Sequence, residues 1–74
     1  MKRPGYATRY RAFLRKLRDA RLQAGLTQVQ VATKLGRPQS FVSKCESGER
    51  RIDVIELEEI AELYRKPVAF FLAT

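Results

Sequence analysis

Signals that start and end short helices follow one another along this sequence and constrain its fold more than any other feature. Thr27 with Gln30, and Asp53 with Glu56, have the spacing of a capping box, in which each side chain accepts a hydrogen bond from the backbone N–H group of the other residue. Glycines that can end a helix in the left-handed conformation follow three apolar segments: Gly25, Gly36 and Gly48. No segment alternates between apolar and polar residues as strands do. The chain is therefore predicted to be all-α.

Five short helices with tight connections fit these signals. The first follows the N-cap Thr8 and runs to about Gln23, with apolar residues recurring at spacings of three and four. Pro38 opens the third helix at its first position, where a missing N–H group does no harm. The last helix is predicted over residues 67–72. The predicted organisation has two parts: a basic, flexible arm over residues 1–8 and a compact five-helix domain over residues 9–74.

Several classes of function are excluded by what the sequence lacks. With a single cysteine and no histidine, it can form neither an internal disulfide nor a zinc site, and it has no histidine-based catalytic group. The acidic residues of the fourth helix are predicted to be solvated rather than paired in an apolar setting. No apolar run approaches the ~20 residues that span a membrane. We expect a cytoplasmic binding module rather than an enzyme, with no cofactor, metal or small-molecule ligand.

Charge is strongly segregated along the chain. Residues 1–45 carry eleven basic side chains and one acidic one, a balance of +10, whereas residues 46–74 carry four basic and seven acidic ones, a balance of −3. After folding, this asymmetry predicts a basic face. Such faces bind nucleic acids or anionic membrane surfaces, so the choice between the two depends on motifs.

The segment over residues 27–47 has the pattern of two short helices that cross around a glycine turn, which is the helix-turn-helix unit. Ala32 provides the small side chain that a close crossing needs, and Gly36 provides the positive φ of the turn. Val42 and Cys45 then lie on the inner face of the second helix of the pair. Its outer face carries polar side chains that suit the edges of bases in the major groove: Gln39, Ser40, Ser43 and Lys44.

Residues 17–63 read LRDARLQAGLTQVQVATKLGRPQSFVSKCESGERRIDVIELEEIAEL and resemble the Cro/lambda-repressor-type helix-turn-helix domains of the XRE family. The resemblance is carried by the Gly-Leu-Thr-Gln start of the second helix, the spacing of Ala32, Gly36 and Val42, the Glu-x-Gly end of the third helix, and the acidic fourth helix. It implies a lambda-repressor-like fold, a compact all-α DNA-binding domain of five helices.

The resemblance also implies roles for individual residues. The base-reading positions of the family are matched by Gln39, Ser40 and Lys44, with Ser43 beside them on the groove side. A structural arginine, which pairs with a glutamate near the end of the third helix, is matched by Arg21 and its partner Glu46. Gln28 matches a residue that contacts a phosphate or an outer base. The other residues placed for phosphate contacts are Thr27, Arg37, Arg50 and Arg51.

Two positions depart from the family pattern. Pro38 stands where a capping serine or threonine is common, so we predict that Arg37 caps the third helix as a poor substitute. Cys45 stands where a larger apolar or aromatic residue is usual, and we expect it to be a small buried hydrophobe rather than a redox sensor.

Sequence-specific binding to double-stranded DNA is the function that the resemblance implies, with the third helix in the major groove. One unit reads too few base pairs for selectivity in a genome, so we expect a repressor that acts as a homodimer on a two-fold symmetric operator. The candidate dimer surface is the apolar run of Phe70, Phe71 and Leu72, of which one or two side chains can instead cap the core. Two alternatives stay open: an antitoxin or adaptor-type module whose main partner is a protein, and an RNA-binding module.

Overall fold

The computed structural model describes residues 4–72, and within them the fold is all-α, as predicted. Its five helices, in chain order, are α1 (Tyr6–Gln23), α2 (Gln28–Leu35), α3 (Gln39–Ser47), α4 (Val54–Tyr64) and α5 (Val68–Leu72). In this part of the chain, no helix combines the length and the apolar character needed to cross a membrane. Residues 1–3 of the predicted arm and residues 73–74 of the predicted domain lie outside the described residues.

Helix α1 begins earlier than its sequence predicts. Gly5 is the extended N-cap and Tyr6 the first helical residue, so Thr8 is not the cap. The additional turn is held by aromatic packing, because the ring centroids of Tyr6 and Tyr10 lie 5.9 Å apart. The Arg51 guanidinium covers both rings, at 4.4 Å from the Tyr10 centroid and 5.3 Å from the Tyr6 centroid. Residues 6–8 of the predicted arm therefore belong to α1.

Both predicted capping boxes are present. The Thr27 hydroxyl accepts a hydrogen bond of 3.1 Å from the Gln30 N–H group, and the Gln30 side chain accepts one of 2.9 Å from the Thr27 N–H group. Asp53 and Glu56 exchange the same pair of bonds, at 2.8 and 3.1 Å. Because each box satisfies N–H groups that a helix cannot pair internally, it fixes where α2 and α4 begin.

The start of α3 differs from its prediction. Pro38 is extended (φ −63°, ψ 152°) and precedes the helix, so Pro38 is the N-cap and Arg37 is not. The proline ring has no hydrogen-bonding group, and no side chain caps this helix. The first turn of α3 therefore depends on contacts with other parts of the molecule.

A single apolar core lies between the helices. Ala32 and Val42, predicted to be the skeleton of the α2–α3 pair, both belong to it, and Gly36 has the expected left-handed conformation between them. Burial raises the pKa of the Cys45 thiol, which packs in the core as the predicted small hydrophobe. The core side chains are Leu17, Ala20, Val31, Ala32, Phe41, Val42, Cys45, Leu57, Ile60, Ala61, Tyr64 and Phe71.

Gly48, which ends α3, lies closer to its neighbours than Gly36 does. A Cβ at Gly48 (φ +84°) would lie 2.9 Å from Leu14 Cδ1 of α1, whereas a Cβ at Gly36 (φ +68°) would meet nothing within 4 Å. We expect Gly36→Ala to lower the free energy of unfolding by about 1–2 kcal/mol through left-handed strain alone. Gly48→Ala adds the close contact and should cost about 1 kcal/mol more. Urea unfolding of both variants measures the difference, and equal losses would contradict a steric role for Leu14.

Candidate nucleic-acid interface

Helix α3 divides its side chains between two faces. Phe41, Val42 and Cys45 point inward and are buried. The side chains predicted to read bases are all exposed, and we call them the recognition face: Gln39, Ser40, Ser43 and Lys44. Because the inward residues hold the helix in place, the recognition face takes no part in the core.

A buried ion pair joins α1 to the end of α3. Arg21 Nε donates a hydrogen bond of 2.6 Å to Glu46 Oε2, and Arg21 Nη2 donates one of 3.1 Å to Glu46 Oε1. This hydrogen bonding raises the pKa of the Arg21 guanidinium, although burial opposes the shift. Arg21 Nη1 also donates to the Leu26 carbonyl oxygen at 2.9 Å. The predicted pair is confirmed, and both of its side chains are largely buried.

The first turn of α2 is attached to the same ion pair. Gln28, predicted to contact a phosphate or an outer base, is half-buried, and its Nε2 donates a hydrogen bond of 3.1 Å to Glu46 Oε1. This bond leaves the amide oxygen and the second amide hydrogen of Gln28 for an outside partner. Thr27 is exposed beside it, with its hydroxyl engaged in the capping box. Glu46 thus sets the position of α2 against both α1 and α3.

Glu56 accepts hydrogen bonds from two arginines, Arg50 in the loop before α4 and Arg37 before α3. Its Oε1 and Oε2 accept bonds of 2.8 and 2.9 Å from Nη1 and Nη2 of Arg50, and Arg37 Nη2 lies 3.3 Å from Oε2. Both guanidiniums lie over the Phe41 ring, at 4.5 Å (Arg37) and 4.7 Å (Arg50) from its centroid. We call these four residues the Glu56 cluster. The cluster covers the Phe41 ring in the first turn of α3, whose N-cap makes no side-chain hydrogen bond.

The prediction that the acidic residues of α4 are solvated is wrong for Glu56, whose side chain is only 8% exposed. A buried carboxylate is tolerated when cations and hydrogen-bond donors surround it. Here the hydrogen bonds from Arg50 keep the pKa of the Glu56 carboxyl below its ordinary value, with the Asp53 backbone and Arg37 contributing and burial opposing. Sequence reasoning missed the cluster because the capping box already accounted for a glutamate at this position.

The three arginines predicted to contact phosphates have different surroundings. Arg37 and Arg50 belong to the Glu56 cluster, and their side chains remain 41% and 40% exposed. Arg51 is exposed, and its guanidinium lies over the rings of Tyr6 and Tyr10 in the first turns of α1. Part of each guanidinium therefore faces solvent, but those of Arg37 and Arg50 are both hydrogen-bonded to the Glu56 carboxylate.

The apolar run at the end of the chain is divided between core and surface. Phe71, predicted with Phe70 and Leu72 as a dimer surface, is 1% exposed, so the prediction is wrong for this residue. Its ring packs edge-on against Phe13 and Phe70, with centroids 6.4 and 5.2 Å away. Phe70 is half-buried, and the Lys66 ammonium lies 4.8 Å from its ring centroid. Leu72 is 54% exposed and is the member of the run that stays accessible.

Comparisons with known proteins agree with this geometry. A family model for the helix-turn-helix domain matches residues 11–69. A solved structure of an XRE-family like protein from Pseudomonas syringae pv. tomato str. DC3000 is 46% identical, with a TM-score of 0.84 over 90% of this chain and 82% of that chain. None of the curated proteins compared with the chain matches it. With four-fifths of its length covered by the family model, the chain belongs to the helix-turn-helix family and, within it, to the XRE type.

Proposed function

We propose that this chain is a transcriptional regulator that binds double-stranded DNA with sequence specificity. The recognition face supports this most directly, since its polar side chains are exposed while the other side of α3 is buried. Glutamine can bond bidentately to adenine, lysine can donate to guanine, and serine can bond to any base pair. Helix α3 enters the major groove by its first turn, which carries Gln39 and Ser40.

Groups around α3 fix the register of the protein on the duplex by contacting phosphates. The formal charge of +7 attracts the chain to DNA at long range, and individual contacts then set its orientation. At the start of α2, the backbone N–H groups of Gln28 and Val29 have no partner within the helix and can bond to a phosphate. They lie next to the side chains of Thr27 and Gln28. The proposed phosphate contacts are Thr27, Gln28, Arg37, Arg50 and Arg51.

The regulator acts as a homodimer and a repressor. Two copies on half-sites about 34 Å apart read enough base pairs for a selective site. Repression is the simplest consequence, since a protein that occupies an operator excludes other proteins from the same DNA. With Phe71 in the core, the apolar side chains that stay exposed for a dimer contact include Val54, Ile55 and Leu72.

Selection of bound sites from a random duplex library tests the proposal directly. We expect one enriched motif that is repeated with two-fold symmetry at a spacing of about one helical turn. Enrichment of a single unrepeated motif would contradict the homodimer, and a lack of any enrichment would contradict sequence-specific binding. The enriched duplex then serves as the specific site in the measurements below.

Gln39→Ala is expected to weaken binding to the selected site by about 1–3 kcal/mol and to relax the preference at one base pair, because the bidentate bond to a base is lost. Binding to a scrambled duplex should stay unchanged, since Gln39 is exposed and supports no core contact. Titrations of both duplexes at the same salt concentration measure the two affinities. Equal losses on both would rule out a base-reading role.

Arg51→Ala provides the opposite pattern. We expect it to weaken binding to the selected duplex and to the scrambled duplex by the same factor. The slope of log affinity against log salt should also fall by about one unit, because one phosphate contact and its released counterion are lost. The same titrations at several salt concentrations give the slope. A loss confined to the selected site would instead assign Arg51 to base recognition.

A further inference from the structure

The position of Glu56 suggests a role beyond capping α4. Both of its oxygens are used: Oε1 accepts from Arg50 and from the Asp53 N–H group, and Oε2 accepts from Arg50 and Arg37. The bond to Arg50 is bidentate, the geometry that fixes the plane of a guanidinium as well as its distance. One carboxylate thus orients two arginines that come from opposite ends of α3, Arg37 just before it and Arg50 just after it.

The same two guanidiniums hold the first turn of the recognition helix. Both lie over the ring of Phe41, which directly follows Ser40 of the recognition face. Pro38 gives this turn no side-chain cap, so its position depends on the burial of Phe41 and on the two guanidiniums that cover the Phe41 ring. A cation over an aromatic ring attracts it most strongly when both are partly shielded from water, as they are here.

Charge gives the cluster a second effect. Two arginines and one carboxylate leave a local balance of one positive charge, although two cations lie over Phe41, the residue that follows Ser40 of the recognition face. A guanidinium whose plane is fixed can meet a phosphate in one geometry only, whereas a free one can follow the backbone of any duplex. Unrestrained arginines therefore favour binding that ignores sequence, because phosphate contacts carry no sequence information.

We propose that Glu56 is a specificity-determining positioning residue: by holding Arg37 and Arg50 against Phe41, it braces the first turn of α3 and restrains two cations that otherwise bind any duplex. This inference rests on the proposed binding to DNA. Because both Glu56 oxygens are engaged within the protein, we assign it no contact with DNA, and it acts through the residues it orients. It makes the discrimination between sequences larger at the cost of some total affinity.

Glu56→Gln tests the inference without removing the cap, because glutamine serves equally well at the third position of a capping box. We expect binding to a scrambled duplex to become tighter by about threefold to tenfold and the salt slope to steepen by about one unit, because Arg37 and Arg50 then meet phosphates without a carboxylate that neutralises one of their charges. Binding to the selected site should gain less, so that the ratio of the two affinities falls. Thermal unfolding of the variant confirms that it is folded at the temperature of the titrations.

Glu58→Gln is the matched control, because it makes the same change in formal charge at an exposed position of the same helix. The Glu58→Gln variant should have the same affinity ratio and the same salt slope as the wild-type protein. A second control repeats Glu56→Gln in an Arg37→Gln/Arg50→Gln background, where its effect on the slope should disappear because the two arginines that it releases are absent.

Three results would overturn the inference. The first is a Glu56→Gln variant that behaves like Glu58→Gln, which would reduce Glu56 to a structural residue. The second is a Glu56→Gln effect that persists without the two arginines. The third is a wild-type protein that binds no duplex at all, which would remove the proposed function as well and is thereby distinct from the other two.

Discussion

Phe71→Ala is expected to lower the free energy of unfolding by about 3–5 kcal/mol, the range for truncating a buried phenylalanine. Phe71 is among the largest fully buried side chains, and it connects α5 to Phe13 of α1. A domain of 74 residues has a total stability of roughly 4–11 kcal/mol, so the variant should lose a large part of its resistance to urea. Equilibrium urea unfolding followed by far-ultraviolet circular dichroism measures the loss.

Leu72→Ala is the control, since it truncates the next side chain of the same helix at an exposed position. It should change the stability of the monomer by no more than about 0.5 kcal/mol. The assignment of Phe71 to the core also requires that its loss be independent of protein concentration, because a contact between two copies would contribute more at high concentration. A loss that grows with concentration would return Phe71 to the dimer surface.

Glu46→Ala is expected to lower the free energy of unfolding by a similar amount, about 3–5 kcal/mol, because it leaves a buried guanidinium without its anion. The substitution removes the acceptor of Arg21 and also the acceptor of Gln28, so α2 loses a bond to α3 at the same time. Urea unfolding again provides the measurement. Glu49→Ala, at an exposed position nearby, should have an effect within about 0.5 kcal/mol.

The double variant Arg21→Met/Glu46→Leu separates charge burial from packing. Replacing both members of a buried ion pair with apolar residues is often neutral or stabilising, so we expect the double variant to recover most of the loss caused by Glu46→Ala. A double variant less stable than Glu46→Ala would contradict the uncompensated charge as the cause. It would show instead that the geometry of the pair itself holds α1 to α3.

Features encoded by neighbouring residues were predictable from the sequence. The capping boxes at Thr27 and Asp53 depend on spacings of three residues, and both are present. The two faces of α3 follow from helical periodicity, which places Val42 and Cys45 inward and leaves the recognition face exposed. The Arg21–Glu46 pair lies 25 residues apart and came only from the family resemblance.

Features that depend on tertiary packing were not predictable in the same way. Nothing in the local sequence places Arg37 on Glu56, which is 19 residues away, and the contact of Arg50 with Glu56 depends on the course of the loop between α3 and α4. The apolar run of α5 contains more side chains than the core can hold, and the three-dimensional course of the chain decides that Phe71 enters it. The early start of α1 likewise needs Arg51, which reaches Tyr6 from the loop after α3.

The division of α3 into a buried face and a recognition face has a consequence for evolution. Substitutions at exposed positions usually change stability by no more than about 0.5 kcal/mol, so the four recognition side chains can vary with little penalty to folding. The inward residues and the two buried carboxylates are subject to a separate selection, for stability. Under the proposed function, one copy can therefore drift toward a new operator after gene duplication, through a few substitutions that each leave a folded protein.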